Sequence, residues 1–185
     1  MDKIIRNNKK QKGQGLVEFA LILPIMLLLL FGIIESSRLI VHFVSVYSAS
    51  REAARYGSAV GRLSESDPFF YEDCDGIRLA AMRVGFMAGL ETGDIEIRYD
   101  TGPGTSPIDW TTYDQQTHFD STTLTCDTTD GVVTLDGTPT DVGDEGRILI
   151  RVQKSFEPIV PIVPFPEVPL TSFAGRTFIK QIDLD

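Results

Sequence analysis

The chain has 185 residues, a formal charge of −9 and only two cysteines. About 120 residues remain beyond residue 61, which is enough for one small domain with its own core but not for two. The acidity argues against nucleic acid as a partner, because phosphate binding requires a basic surface and residues 36–185 carry twelve Lys or Arg against twenty-three Asp or Glu.

A basic leader precedes a long apolar run at the N-terminus. Residues 1–13 carry five Lys or Arg and one Asp, and residues 16–34 are apolar except for Glu18. As a helix this run would be about 28 Å long, close to the roughly 30 Å hydrocarbon thickness of a bilayer. Because positively charged flanks stay in the cytoplasm, we expect one membrane span with the N-terminus inside and the C-terminal domain outside.

An ordinary cleaved signal peptide is the alternative interpretation of this segment. Such a signal needs a small-x-small site directly after the apolar core. Ser48, Ala49 and Ser50 have suitable sizes, but they lie far beyond residue 34. The sequence therefore favours a span that is retained, with Glu18 as an ionisable group inside it that calls for a functional explanation.

The N-terminal helix is predicted to continue to about Gly61, because no proline interrupts residues 35–62. We expect residues 14–38 to form its transmembrane part, with a kink or local unwinding at Pro24, and residues 39–61 its extracytoplasmic part. Glu35 and Arg38 are expected to pair near the outer interface. One helical stripe joins Leu39, Phe43, Val46, Ser50, Ala53, Ala54 and Gly57. Small residues on this part form either a contact with another helix or the seat for the chain's own sheet.

Residues 62–185 are predicted to form an acidic extracytoplasmic α+β domain on which the long helix packs. We expect a loop that ends at Asp75 as N-cap, a largely buried helix over residues 76–90, and then a change to strand periodicity over residues 95–99. Further strands are predicted over residues 122–126, 132–135, 147–156 and 177–182, most simply as an antiparallel sheet. Prolines at period three favour polyproline II over residues 157–169.

The remaining polar residues indicate stability rather than catalysis. Cys74 and Cys126 both lie in the exported part, so the expected state is a disulfide, with two unpaired thiols as the alternative. His42 and His118 have no adjacent nucleophile motif, and we expect neither an enzyme nor a cofactor. The acids Glu72, Asp73, Asp75, Asp127 and Asp130 lack the spacing of an EF-hand loop, which favours solvated loops over a metal site.

The leader and helix resemble one family of pilus proteins. The boundary at Gly13 resembles a type IV prepilin leader, and GLVEFALILP at residues 15–24 together with SREAARYG at residues 50–57 resembles the TadE-like family. This family supplies minor pilins or pseudopilins to the tight-adherence (Flp) pilus assembly system of bacteria. The resemblance covers residues 13–61, about a quarter of the chain.

The resemblance implies that a prepilin peptidase cuts between Gly13 and Gln14, so that Glu18 becomes the fifth residue of the mature chain. Glu18, Phe19 and Pro24 are then the expected membrane and assembly contacts. Implied partners are the peptidase, other pilins and pseudopilins, and an assembly platform in the bacterial inner membrane. The implied function is assembly of the pilus; a permanently anchored, uncleaved extracytoplasmic binding module is the alternative.

Overall fold

The computed structural model describes residues 13–64, 66–100, 124–126, 133–135, 138–139, 145–159 and 167–179. Two helices and six strands make up these parts of the chain. The helices are α1 (Gln14–Gly57) and α2 (Cys74–Val84), with short 3₁₀ turns at Gly85–Ala88 and Thr92–Asp94. The strands are β1 (Ile95–Asp100), β2 (Leu124–Cys126), β3 (Val133–Leu135), β4 (Thr138–Pro139), β5 (Glu145–Phe156) and β6 (Val168–Ile179).

The strands form one antiparallel sheet in the order β4-β3-β2-β1-β5-β6. Its longest pair is β5 and β6, which run opposite each other for twelve residues, with Phe156 facing Val168 at one end. The predicted α+β class, with a long apolar helix packed on a small domain that has a second helix and an antiparallel sheet, is confirmed.

The core lies between one face of the sheet and the two helices. Alternation in β1 places Ile95, Ile97 and Tyr99 in this core, as the period-two pattern predicts. On the opposite face, Glu96 is paired with Arg151 directly across from it on β5. Ion pairs thus cover the outer face, and the helices bury the inner one.

Several predicted boundaries were wrong. Helix α1 ends at Gly57 rather than Gly61, because the chain turns at Ser58. Helix α2 begins at Cys74, since Asp73 and not Asp75 is its N-cap: the Asp73 carboxylate accepts a hydrogen bond from the Gly76 N–H at 2.9 Å. Strand β6 begins at Val168 and includes Pro169, which is tolerated because β6 is at the edge of the described sheet.

Helix α2 is more amphipathic than predicted. It was expected to be largely buried, but Leu79 is 45% exposed, and Phe86 and Met87 in the following 3₁₀ turn are also exposed. The buried residues of α2 are Cys74, Ile77, Ala81 and, unexpectedly, Arg78. The helical assignment also ends at Val84, before the predicted end at residue 90, and the chain then tightens into the turn that Gly89 closes in a left-handed conformation.

Candidate processing and assembly site

The peptide bond between Gly13 and Gln14 lies at the start of α1. Gly13 is exposed, and its carbonyl accepts a hydrogen bond from the Val17 N–H at 3.2 Å. Its φ of −108° is accessible to any residue, and a Cβ at this position would meet no atom of the described residues within 4 Å. The fold of the chain therefore does not require glycine at position 13.

Glu18 lies one helical turn after Gln14 on the exposed surface of α1. The Gln14 side-chain amide donates a hydrogen bond to the Glu18 carboxylate at 3.3 Å, so the two side chains share one face of the helix. Phe19, beside Glu18, is 62% exposed. The carboxylate is thus within reach of a group at the first residue of the helix.

The apolar part of α1 is exposed along its length. This helix is long and apolar enough to cross a membrane, and none of its most apolar 18-residue window is buried by the domain. Apolar side chains in that number need a non-aqueous environment, which lipid or other apolar helices supply. Helix α1 continues through Pro24, so local unwinding, one of the two outcomes predicted there, does not occur.

The domain first meets α1 just after the apolar run. The predicted pair of Glu35 and Arg38 is present at 2.8 Å, and the other Glu35 oxygen accepts a hydrogen bond from the Ile159 N–H at 2.9 Å. The Arg38 guanidinium also lies 5.3 Å from the centre of the Phe156 ring. These contacts fix the chain just after β5 to the helix at the level of Glu35.

Small residues seat the C-terminal part of α1 on the chain's own domain. Ala49, Ser50, Ala53 and Ala54 are all at most 1% exposed, and the Ser50 hydroxyl lies 2.8 Å from that of Ser172 on β6. Both alternatives that the sequence left open are therefore realised within the chain's own domain, since this part of α1 packs on the sheet and on α2. The predicted stripe was wrong at one position, since Phe43 is 55% exposed.

Gly57, the last residue of α1, is the closest point of this seat. A Cβ at Gly57 would overlap the Ile148 side chain and would lie 3.1 Å from Cδ1 of Ile77. Glycine is thus required here for close approach of the helix to both β5 and α2. The close contact thus explains why the SREAARYG segment ends in glycine.

A hydrogen-bonded chain joins the end of α1 to the start of α2. The Tyr56 hydroxyl donates to the Asp73 carboxylate at 2.7 Å, and the same carboxylate caps α2 through Gly76. Burial, followed by the hydrogen bond to Asp73, raises the pKa of Tyr56 to about 12. The tyrosine of SREAARYG therefore holds the second helix in place.

A disulfide joins Cys74, the first residue of α2, to Cys126 on β2. The buried Tyr99 hydroxyl lies 2.9 Å from the Cys126 sulfur and donates a hydrogen bond to the Tyr71 carbonyl at 2.6 Å, and burial raises the pKa of Tyr99. Arg78, 1% exposed, donates to the Cys126 carbonyl at 2.9 Å. Arg78 was not predicted from the sequence, because an arginine in an apolar helix gives no sign of which carbonyl it will meet.

The other polar candidates are dispersed. The His42 ring packs edge-on against Phe156, and burial together with the nearby charges of Arg38 and Lys154 lowers its pKa. Among the acids, Asp73 caps α2 and Asp75 lies 3.5 Å from Arg78. Within the described ranges there is no cluster of three His, Cys, Asp or Glu suited to a metal ion. The remaining predicted candidates, His118, Asp127 and Asp130, lie outside those ranges.

The similarity of this chain to known proteins lies in the segment of α1. No curated protein and no solved structure matches the chain significantly. A family model does match, over the residues that contain the Gly13–Gln14 bond, the apolar run and most of the seat. Residues 13–55 match the model described as TadE-like protein, so the resemblance to this pilus-associated family is confirmed over that segment.

Proposed function

We propose that this protein is a membrane-anchored minor pilin or pseudopilin of the tight-adherence (Flp) pilus, processed by a prepilin peptidase and needed for pilus assembly. The observation that carries the proposal is the family match over residues 13–55. The matched segment contains the leader glycine Gly13, the carboxylate of Glu18 and the exposed apolar part of α1. The chain acts as a substrate of the peptidase and as a structural subunit, and not as an enzyme.

The steric environment of Gly13 supports cleavage after this residue. Gly57 is a glycine because the fold leaves no room for a side chain, whereas Gly13 has open space around it and an ordinary φ. The reason for glycine at position 13 then lies outside the folded chain. A backbone without a side chain gives a peptidase close access to the bond, which lies at the exposed start of α1.

Glu18 is proposed to compensate the charge that cleavage creates. The cut would give Gln14 a positive α-amine and remove the Gly13 carbonyl, to which the Val17 N–H is bonded. Glu18, on the same helix face as Gln14, would offset that charge within its own chain or in a neighbouring subunit. In the alternative role Glu18 stays at the cytoplasmic interface, where its carboxylate reaches water.

The proposed location is the bacterial inner membrane, with the N-terminus in the cytoplasm and the domain outside. The basic leader supports this orientation. Because the C-terminal part of α1 is occupied by the chain's own domain, the exposed apolar part is the surface available to other pilins and pseudopilins and to the assembly platform. Glu18, Phe19 and Pro24 lie within this surface.

N-terminal sequencing and the intact mass of the membrane-extracted protein test the processing step. We expect a mature chain that begins at Gln14. The Gly13→Leu variant should retain the leader, whereas the matched Gly32→Leu variant should be processed normally, because both glycines have open space and only one precedes the bond. An intact leader in the unmodified protein would reject the proposal and favour the uncleaved binding module.

Pilus formation in cells that carry Glu18 variants tests the second step. We expect Glu18→Ala to be processed and membrane-bound but to give few or no pili. Glu52→Ala is the matched control, because Glu52 is a partly exposed acid of the same helix whose pair with Arg55 is long, at 3.8 Å. Normal pili with Glu18→Ala would show that Glu18 holds only an interfacial position.

A further inference from the structure

The direction of β5 brings one end of the domain towards the membrane. Strand β5 runs antiparallel to α1, since Ile148 lies against Gly57 at the far end of the helix and Ile159 is bonded to Glu35 at the near end. These two contacts are 22 residues apart on α1, about 33 Å at 1.5 Å per residue. The connection between β5 and β6 thus begins at the end of the domain closest to the apolar run.

The hydrogen bond to Glu35 sets the level of Ile159. Glu35 is the first residue after the apolar run of residues 16–34, whose length of about 28 Å matches the hydrocarbon core of a bilayer. A backbone N–H that lies 2.9 Å from the Glu35 carboxylate is therefore at the outer membrane boundary when α1 spans the bilayer. The level of Ile159 follows from this contact alone.

The chemistry at this end differs from that of the rest of the domain. Ile159 is 67% exposed, and Val168, which begins β6 opposite Phe156, is 36% exposed. The sequence contains no charged residue over residues 158–166, although the exported part is strongly acidic. Glu157 and Glu167, both exposed, flank this stretch. Exposed Ile159 and Val168, beside the exposed carboxylates of Glu157 and Glu167, suit the shallow interface of a bilayer and not its centre.

We propose that this end of the domain, with Ile159 as its anchor, inserts into the outer interface of the bilayer as a second membrane attachment beside α1. The inference rests on the proposed membrane anchoring of α1. Lipid is the occupant because the exposed isoleucine lies at the level of Glu35, where the uninterrupted apolar run of α1 ends, so every anchored copy brings it to the bilayer. Attachment at two points would fix the orientation of the domain on the membrane before the subunit enters any assembly.

Tryptophan quenching in vesicles tests the attachment with the full-length chain. The native Trp110 is replaced by Phe, and a single Trp is introduced by Ile159→Trp, Leu63→Trp or Ile25→Trp. Leu63 is the matched control, since it is 76% exposed and follows the far end of α1. Ile25 lies in the middle of the apolar run and reports the span itself. The vesicles contain phosphatidylcholine, with or without bromine atoms on its acyl chains.

The expected result is that bromine quenches the I159W and I25W variants and leaves L63W unaffected, with I159W quenched most by bromine near the headgroup. Quenching of I25W without any quenching of I159W would overturn the second attachment and leave the anchoring intact. An I159W variant shielded from aqueous acrylamide but not quenched by bromine would assign this surface to a protein partner, which also overturns the proposal. No quenching of I25W would overturn the anchoring and the second attachment together.

Discussion

Replacing Gly57 by alanine perturbs the closest contact between α1 and the rest of the domain. The added Cβ would lie inside 3.0 Å of Ile148 Cδ1 and 3.1 Å from Ile77 Cδ1. Both isoleucines are fully buried, so neither can move its methyl group into solvent. We expect Gly57→Ala to lower the free energy of unfolding, although alanine is the better helix former.

The magnitude follows from two opposing effects. Overpacking a filled core costs about 1–3 kcal/mol, and replacing Gly by Ala inside a helix stabilises by up to about 1 kcal/mol. Gly57 is the last residue of α1, where the helical gain is smallest. The net expected loss is about 1 kcal/mol, which corresponds to roughly 2–4 °C in Tm for a chain of this size.

The second substitution in this test is Ile148→Val, which removes the methyl group that the new Cβ would overlap. Alone it should destabilise by about 0.5–1.5 kcal/mol. Combined with Gly57→Ala, the loss should be smaller than the sum of the two by at least about 0.5 kcal/mol, because the valine leaves room for the alanine. Thermal unfolding of the full chain in detergent, followed by circular dichroism, measures all four proteins.

Additive effects of the two substitutions would refute this explanation of the seat. Additivity would mean that Gly57 is not limited by Ile148, and that the short separation between α1 and β5 does not depend on the missing side chain. A Gly57→Ala variant as stable as the parent would also refute the explanation.

Three further predictions concern the contacts around this seat. Asp73→Ala should lower the free energy of unfolding by about 0.5–2 kcal/mol through loss of the α2 cap. In the parent chain the folded pKa of Tyr56 is raised from 10.0 to about 12, in part by Asp73, so the stability of the parent should fall as pH rises from 10 to 12. Tyr56→Phe should reduce that fall. The folded pKa of His42 is lowered, so its contribution to stability is present above pH 6.5 and is lost as pH falls below that value. His42→Phe should reduce the change in Tm between pH 7 and pH 5. An unchanged dependence of Tm on pH would contradict the assignment of this effect to His42. Replacing Cys74 and Cys126 together by serine should cost about 3–5 kcal/mol relative to the disulfide-bonded parent, measured by denaturant unfolding. The reduced parent chain should be destabilised by about the same amount.

The sequence predicted the parts of the fold whose periodicity is local. The alternation of Ile95, Ile97 and Tyr99 identifies β1 because each buried side chain is two residues from the next. The long helix was predicted from its apolar run and from the absence of proline after Pro24, and the structure has it as one element. These features depend on neighbours in the chain, so they are readable without the tertiary structure.

The errors arose where a distant contact decides the outcome. Arg78 is buried and Leu79 is exposed, the opposite of what their polarity predicts. The disulfide brings the Cys126 carbonyl to α2, where it accepts a hydrogen bond from the Arg78 guanidinium. Asp73 rather than Asp75 caps α2, and its carboxylate is also the acceptor of Tyr56 from another helix. These contacts join residues 48 and 17 positions apart in the sequence, so they cannot be inferred from spacing within one helix.

The glycines of α1 and its N-cap differ in whether the fold requires them. Gly57 is specified by the domain, since a side chain there would meet Ile148, whereas Gly13 and Gly32 have open space and impose no such demand. The same division applies to the apolar residues: the domain buries Val46, Ala49, Ala53 and Ala54, whereas those of the span are exposed. A helix whose second half packs on its own domain, and whose first half meets no partner in the described part of the chain, is suited to join one folded domain to a membrane and then to other subunits.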